Sequence, residues 1–402
     1  MNPKLRPIRT QPVIHHGQRA IALQDPLQIS SQVVILPQRL APLLALCDGT
    51  RDLDMLRASL AVRGGVYLTP REVEQIIRRL DDALLLDNER FAQARQQALE
   101  EYRSAPCRRP ALAGLSYPAL PNALRHYFQQ LVQRVPHGKP DDSAVRAVIS
   151  PHIDYHRGGP VYAQTWAQAA PSIREAELAV IFGTDHNGSL GQITLTRQHY
   201  ATPFGTLPTE LTVVDALADA LGAEAVFMEE LHHRTEHSIE LAVNWLHYFL
   251  DGRDIPIVPI LCGSLEHHVQ NGTDPSADAT MMTLIEALRE VTAGRRVLWV
   301  AAADLAHVGP AFGDPMPLDL VTRAQLQAAD ERLLKAIEAG DPQGFFEAVQ
   351  AERDRWRVCG LTPIYLTLQM VTPASGRIVA YERCAADAEN GSVVTIAGAL
   401  LS

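Results

Sequence analysis

Leu178-Ala179-Val180-Ile181-Phe182-Gly183-Thr184-Asp185-His186-Asn187-Gly188 is the stretch on which the reading of the fold turns. Apolar residues run on without alternation and then give way to Thr184-Asp185-His186. An unbroken apolar run of this length fits a strand covered on both faces, as in a parallel sheet. Working outward, Ala144–Ser150, Ile255–Cys262, Val297–Ala303, Arg377–Glu382 and Ser392–Ala399 are further strand candidates. Between and around them, helical patterns occupy 121–134, 160–169, 208–221, 236–250, 277–292, 318–339, 342–351 and 361–370. This alternation predicts an α/β fold, a central mostly parallel sheet flanked by helices.

In such sheets the ligand site lies outside the carboxyl ends of the strands. The residues just past the strand candidates are therefore the first place to look for chemistry. Pro151-His152-Ile153-Asp154-Tyr155-His156 follows the first, Asp185-His186 the second, and Asp304-Leu305-Ala306-His307 the one at 297–303; Cys384 follows 377–382. One strand-end histidine is most often a cap or a core residue. Three of them with a cysteine read as a metal or catalytic cluster, although their spacing is no metal signature, because such residues meet only through the fold. Asp304 also reads as a strand-end turn residue, and Asp185 as a residue that positions His186. His237 reads either as a half-buried helix-start residue or as pocket lining, with Tyr155 and His156 as further lining candidates. Cys359-Gly360 reads most simply as the turn that starts a helix, His232-His233 and His267-His268 as loop residues, and Cys47 and Cys262 as small core residues.

Composition sets the outer limits. The 402 residues carry 36 Lys/Arg against 46 Asp/Glu, a net charge of −10, which disfavours generic nucleic-acid binding. No apolar run reaches the ~18–20 residues of a membrane helix, and no apolar segment of a signal peptide follows the basic start. Five scattered cysteines with no CxxC pair fit a reducing compartment, so a soluble, cytoplasmic protein is expected. The charge is uneven: residues 1–100 hold 13 Lys/Arg and 11 Asp/Glu, whereas the rest hold 23 and 35.

The first hundred residues read as short strands at 20–23 and 27–36, helices at 38–46 and 52–62, and a third from Pro70. Thr69-Pro70-Arg71-Glu72 is a capping box with proline at the first helical position. Leu84-Leu85-Leu86 reads as a returning strand, and 88–106 as a polar helical stretch before proline-rich sequence. The expected domains are 1–100, a winged-helix-like α+β module; 101–112, a linker; and 113–402, the α/β domain. "CDGTRDLDML…VEQIIRRLDDALLL" resembles the small PqqD-like peptide-binding domains.

"SPHIDYHRGGPVYA" at 150–163, "IFGTDHNG" at 181–188, "EHSIE" at 236–240, "AADLAHVG" at 302–309, "CGLTPI" at 359–364 and the tail "ERC…SVVTIAGAL" resemble, in order and spacing, the MEMO family, also called AmmeMemoRadiSam system protein B. That family is related in fold to class III extradiol dioxygenases. The resemblance implies that His152, His186 and Cys384 bind a divalent metal, iron(II) foremost with copper or zinc as alternatives. Two imidazoles and a thiolate suit such metals better than magnesium or calcium. It further implies that His307 is an acid/base, a role for which a histidine near pKa ~6.5 is suited. Asp304 would then orient His307 or a ligand histidine. Leu112 stands where the family has a histidine, and the first hundred residues are additional to the family's catalytic domain.

The resulting expectation is a metal-dependent, dioxygenase-like oxidoreductase acting on an unknown organic or peptide substrate. The alternative is a non-catalytic scaffold that binds a peptide or protein partner in the same pocket, since fold does not fix function. Radical-SAM and AMMECR1-like proteins are the partners the resemblance implies. DNA binding through Arg71, Arg78 and Arg79 on the third helix is disfavoured by the near-neutral charge of that region, and no membrane association is expected.

Overall fold

In the computed structural model, residues 2–136 and 144–402 are described. The chain divides into two compact units at Ser104/Ala105. The first opens with strands β1 (Arg9–His15), β2 (Gln18–Gln24) and β3 (Val34–Pro37), paired antiparallel in that order. Helices α1 (Ala41–Leu46), α2 (Leu53–Gly64), α3 (Pro70–Asp82) and α4 (Glu89–Ser104) come next. The capping box on α3 forms as expected, with Thr69 and Glu72 each closing onto the other's backbone. Val73, Ile77 and Leu80 on its inner stripe pack with Leu56 and Leu60 of α2 and with Leu23 and Leu36 of the sheet. Two expectations need correction. Leu84–Leu86 forms no strand: Leu84 turns left-handed (φ 58°) and Leu86 makes one isolated bridge to Leu5. β1 is a strand that the sequence pattern does not announce, and nearly all of its side chains face solvent.

The second unit is built on an eight-stranded sheet. Its centre is four parallel strands in the order β4 (Ala147–Ser150), β10 (Val297–Ala302), β5 (Leu178–Thr184) and β9 (Ile257–Cys262). β6 (Ile193–Leu195) closes one side antiparallel, after which β7 (Tyr200–Thr202) and β8 (Gly205–Leu207) form a separate hairpin. On the other side β13 (Val393–Leu401) runs antiparallel to β4 and carries the short β11 (His307–Val308) and the long β12 (Gly376–Ala385).

Alternate residues of the parallel strands enter two different cores, as a sheet covered on both faces requires. Val148, Ala179, Ile181, Ile257 and Val300 pack beneath α5 (Pro121–Arg134), α6 (Tyr155–Glu175) and α9 (Ser238–Leu250). Ile149, Val180, Phe182, Val258 and Ala301 pack beneath the other helices. These are α7 (Leu211–Leu221), α8 (Ala223–Phe227), α10 (Glu266–Asn271), α11 (Ala279–Val291), α12 (Leu320–Glu338), α13 (Pro342–Ala351) and α14 (Leu361–Val371). Among the described residues no helix is long and apolar enough to cross a membrane.

Trp245 on α9 stacks on Phe128 of α5 (ring centroids 3.8 Å) and lies over Tyr162 of α6, fully buried. It therefore joins the three helices of one face. Trp245→Ala removes this joint and is expected to cost the second unit about 3–5 kcal/mol; a denaturant melt followed by circular dichroism measures it, and a loss below about 1 kcal/mol would show that the joint is dispensable.

Candidate functional site

Residues just past the carboxyl ends of β4, β5 and β10 line one cavity of about 430 Å³. Its lining includes His152, His186, His237, Asp304 and His307, with an apolar wall of Leu112, Leu241, Phe312 and Val394. A second cavity, of about 280 Å³, opens at the opposite end of the strands around Arg146, Glu175 and Arg296, and gathers no comparable set of ligating groups.

His152 is buried. Its backbone N–H donates to Asp304 Oδ1 (2.8 Å), and its Nδ1 is paired with the carbonyl of Ala302 (3.0 Å). With Nδ1 as the donor to that carbonyl, Nε2 is the nitrogen left to face the cavity. His186 is held in the same way by another acceptor: Nδ1 lies 3.0 Å from Glu236 Oε2, and the backbone N–H donates to the same oxygen (3.1 Å). The Nδ1 of His237 lies 3.1 Å from Glu236 Oε1. One buried carboxylate thus orients two rings, which stack 4.9 Å apart with His152 edge-on at 5.0 and 5.5 Å. Ligating atoms of the three histidines all lie within 4.8 Å of one another.

The thiol beside these rings belongs to Cys359. Its Sγ lies 3.3 Å from His152 Nε2. The start of α14 is pinned from two sides, since Thr184 Oγ1 at the end of β5 donates to the Cys359 carbonyl (3.0 Å) and Gly360 N donates to the Asp304 carbonyl (3.0 Å). Gly360 is needed here because a Cβ would stand 2.4 Å from that carbonyl oxygen. The approach to Cys359 is unusual: Arg353, Asp354 and Arg357 all have φ near +50°. Arg357 Nε donates to the carbonyl of His307 (2.8 Å), and His307 N donates to that of Trp356 (2.8 Å), so this loop and β11 hold each other. His307 Nδ1 pairs with the Leu305 carbonyl (3.2 Å), and its ring meets Phe312 edge-on at 5.1 Å.

The charges in this group depend on one another. Burial alone would raise the Cys359 thiol, but His152 and His307 outweigh it and hold the group well below its ordinary range, as a thiolate. Burial alone would lower His152; Asp304 and Cys359 reverse this and bring it to about 9. His186 is likewise raised, burial being overcome by Glu236, and Glu236 is held down by His186 and His237 against its own desolvation.

The other expected residues have different places. Cys384 does not reach this cluster, and the correction has a clear cause. β12 does not stop at Glu382 but continues to Ala385, which puts Cys384 inside the strand, opposite Val394. His307 faces that same residue from β13's other side, so two strand spacings, about 10 Å, lie between them. The Cys384 Sγ lies 3.8 Å from the Arg157 carbonyl, and burial pushes the thiol up to about 12. Tyr155 is no lining residue: it is buried and donates its hydroxyl to the Leu241 carbonyl (2.7 Å). His156 is exposed on α6. Asp185 faces away from the cavity and pairs with His232 Nδ1 (2.9 Å). His232-His233 and His267-His268 lie in helical turns rather than loops. Glu236 is a functional residue that sequence reasoning missed although it stands next to His237; its signal was a carboxylate at a helix start.

What the fold and site define is an α/β sandwich with a pocket of imidazoles and a thiolate across the carboxyl ends of its parallel strands. The family model for Memo-like proteins matches residues 108–400, and the chain belongs to that family. It is 25% identical to a MEMO1 family protein of Aquifex aeolicus over 92% of this chain and 91% of that one. It is 28% identical to a MEMO1 family protein of Thermus thermophilus (TTHA0924) over 82% and 93%, and 30% identical to one of Methanococcoides burtonii over 50% and 69%. A match over 92% of the chain extends into much of the first unit.

Because a lowered thiol stays ionised further down the pH scale, alkylation of Cys359 by iodoacetamide in chelator-treated protein is expected to fall less from about pH 9 to pH 6 than that of an ordinary thiol. An ordinary thiol near pKa ~8.5 slows about tenfold per unit below that value. Peptide mass spectrometry reads the rate, and a tenfold-per-unit decline at Cys359 would contradict the charge assignment.

Proposed function

We propose that the pocket is the centre of a metal-dependent oxidoreductase of dioxygenase-like type, in which His152, His186 and Cys359 hold a divalent metal, iron(II) foremost, with His237 alongside. The supporting observation is the donor set itself. Three rings are fixed through Nδ1 by the protein, which leaves Nε2 for a cation, and a thiolate stands against one of them. Asp304 and Glu236 are 2% and 4% exposed, and their negative charge favours any cation placed among the rings. The residues present therefore fit a soft or borderline divalent metal.

Such a metal, when bound, supplies redox chemistry with dioxygen that no side chain can. The rest falls to this chain. His307, with Nδ1 engaged by a carbonyl, has Nε2 free to take a proton from a substrate hydroxyl in the cavity. Asp304 fixes the backbone of His152 through Oδ1. Leu112, Leu241, Phe312 and Val394 exclude water from one side of the bound molecule and favour an apolar or aromatic body. Family membership is equally compatible with a binding module, and the acid/base histidine is what favours the enzyme.

Metal content after anaerobic purification tests the ligand set. His152→Ala and Cys359→Ala are expected to lose the metal, whereas Cys384→Ala keeps it; the reverse pattern for the two cysteines would restore the ligand set that the sequence resemblance implies. In a substrate screen under oxygen with iron-loaded protein, His307→Ala is expected to cost about 10²–10⁴-fold in turnover with metal content unchanged. Full activity in metal-free protein would refute the proposal.

A further inference from the structure

α10 and the start of α11 place two histidines and one aspartate around a single point. Asp278 caps α11: its Oδ1 accepts from Thr280 N (2.8 Å) and Met281 N (3.1 Å), which fixes the carboxylate. Its other oxygen, Oδ2, lies 3.1 Å from His268 Nε2 and 3.9 Å from His267 Nε2. His268 is oriented through Nδ1, 2.8 Å from Thr273 Oγ1, and its side chain is only 10% exposed.

His267 is the informative residue. Its Nδ1 is buried without a hydrogen-bond partner, and the distance from Nε2 to Asp278 is beyond hydrogen-bonding range. A ring whose inner nitrogen is buried unpaired, with Nε2 left open beside a carboxylate, is a costly arrangement for a residue that is only a surface polar group. The packing nonetheless makes room for it: Gly191, left-handed at φ 67°, would place a Cβ 3.0 Å from the His267 ring. From α13, Gln350 donates to the backbone carbonyls of His268 (3.4 Å) and Thr273 (3.1 Å), which anchors the turn.

We propose that His267, His268 and Asp278 form a second metal site, for zinc(II) or a similar borderline cation, separate from the cavity histidines. Two imidazoles and one carboxylate are donors such a cation accepts, and calcium or magnesium would need more oxygen. Ligand atoms at roughly 2.0–2.1 Å from a tetrahedral zinc stand about 3.3–3.4 Å apart, and the two separations to Asp278 Oδ2 bracket that value. Ligating atoms of the three residues lie within 4.8 Å of one another. The 30% exposure of His267 gives the cation a way in and leaves a coordination position for water. A cation here ties α10 to the start of α11 in place of one histidine–aspartate pair.

The site shares no residue with the cavity and does not depend on its chemistry, so the two are tested apart. Full-length protein carrying His152→Ala and His186→Ala, stripped with chelator, is titrated with zinc chloride alone in a calorimeter. One saturable zinc per chain is expected, and adding His267→Ala or His268→Gln is expected to weaken it at least about tenfold; both leave the Asp278 cap in place. No saturable zinc in that background, or unchanged affinity in both variants, overturns the proposal. If the background does not fold, chain with the cavity intact gives the same reading by difference: it must bind one more zinc than the His267→Ala/His268→Gln chain, and equal stoichiometry overturns the site. Loss of the cavity metal alone leaves this readout unmoved.

Discussion

A carboxylate closed off from solvent must be balanced where it stands, and Glu236 sets that condition for the whole pocket. Its two oxygens take the backbone N–H groups of His186, His237 and Ser238 as well as the Nδ1 atoms of two rings. The first of these residues comes just after a strand, and the others begin a helix. One side chain therefore locks the end of β5 to the start of α9 and fixes the direction in which two imidazoles present their free nitrogens. Removing its charge would release both rings at once, which is why the positions of His186 and His237 are not independent.

The sheet does the remaining assembly. Parallel strands end on a common edge, so three short polar segments far apart in sequence arrive within one cavity without any local signal that they will meet. The same edge receives α14 from the opposite layer, with Gly360 pressed onto the carbonyl of Asp304. The thiolate consequently comes from the helix layer, and the rings whose charge holds it, His152 and His307, from the strands and strand ends of the sheet. Their mutual charge stabilisation is a contact between those layers as well as a property of the site.

Much of this is legible in the chain. The unbroken apolar runs at 178–183 and 297–302 announce buried parallel strands, and Thr69 with Glu72 announces a helix start, because in each case the physics is local. His152, His186 and His307 are visible because each stands close past the end of an apolar run, where a parallel sheet opens its ligand crevice. The thiol is hidden, because that rule holds only if the strand end is known: Gly376–Ala385 runs three residues beyond its apolar pattern, which carries Cys384 into the pairing with β13. Cys359 is recognisable as the turn before a helix, but nothing in its neighbourhood tells which strand ends that turn will face. β1 is hidden for a related reason, since a strand exposed at almost every position and interrupted by Pro12 has no alternation to detect.

The three left-handed residues that lead into Cys359 bear on how such a chain changes over generations. Non-glycine residues in that conformation cost roughly 1–3 kcal/mol each, a strain that glycine or asparagine at 353, 354 or 357 would relieve. Relief there is not free, because Arg357 Nε holds the His307 carbonyl and Asp354 Oδ1 accepts from Val358 N (2.8 Å), so a replacement trades backbone ease for the contacts that set where the thiolate stands. Robustness and reactivity thus pull on the same short segment in opposite directions, and a lineage that keeps the chemistry must keep a stretch its own folding disfavours.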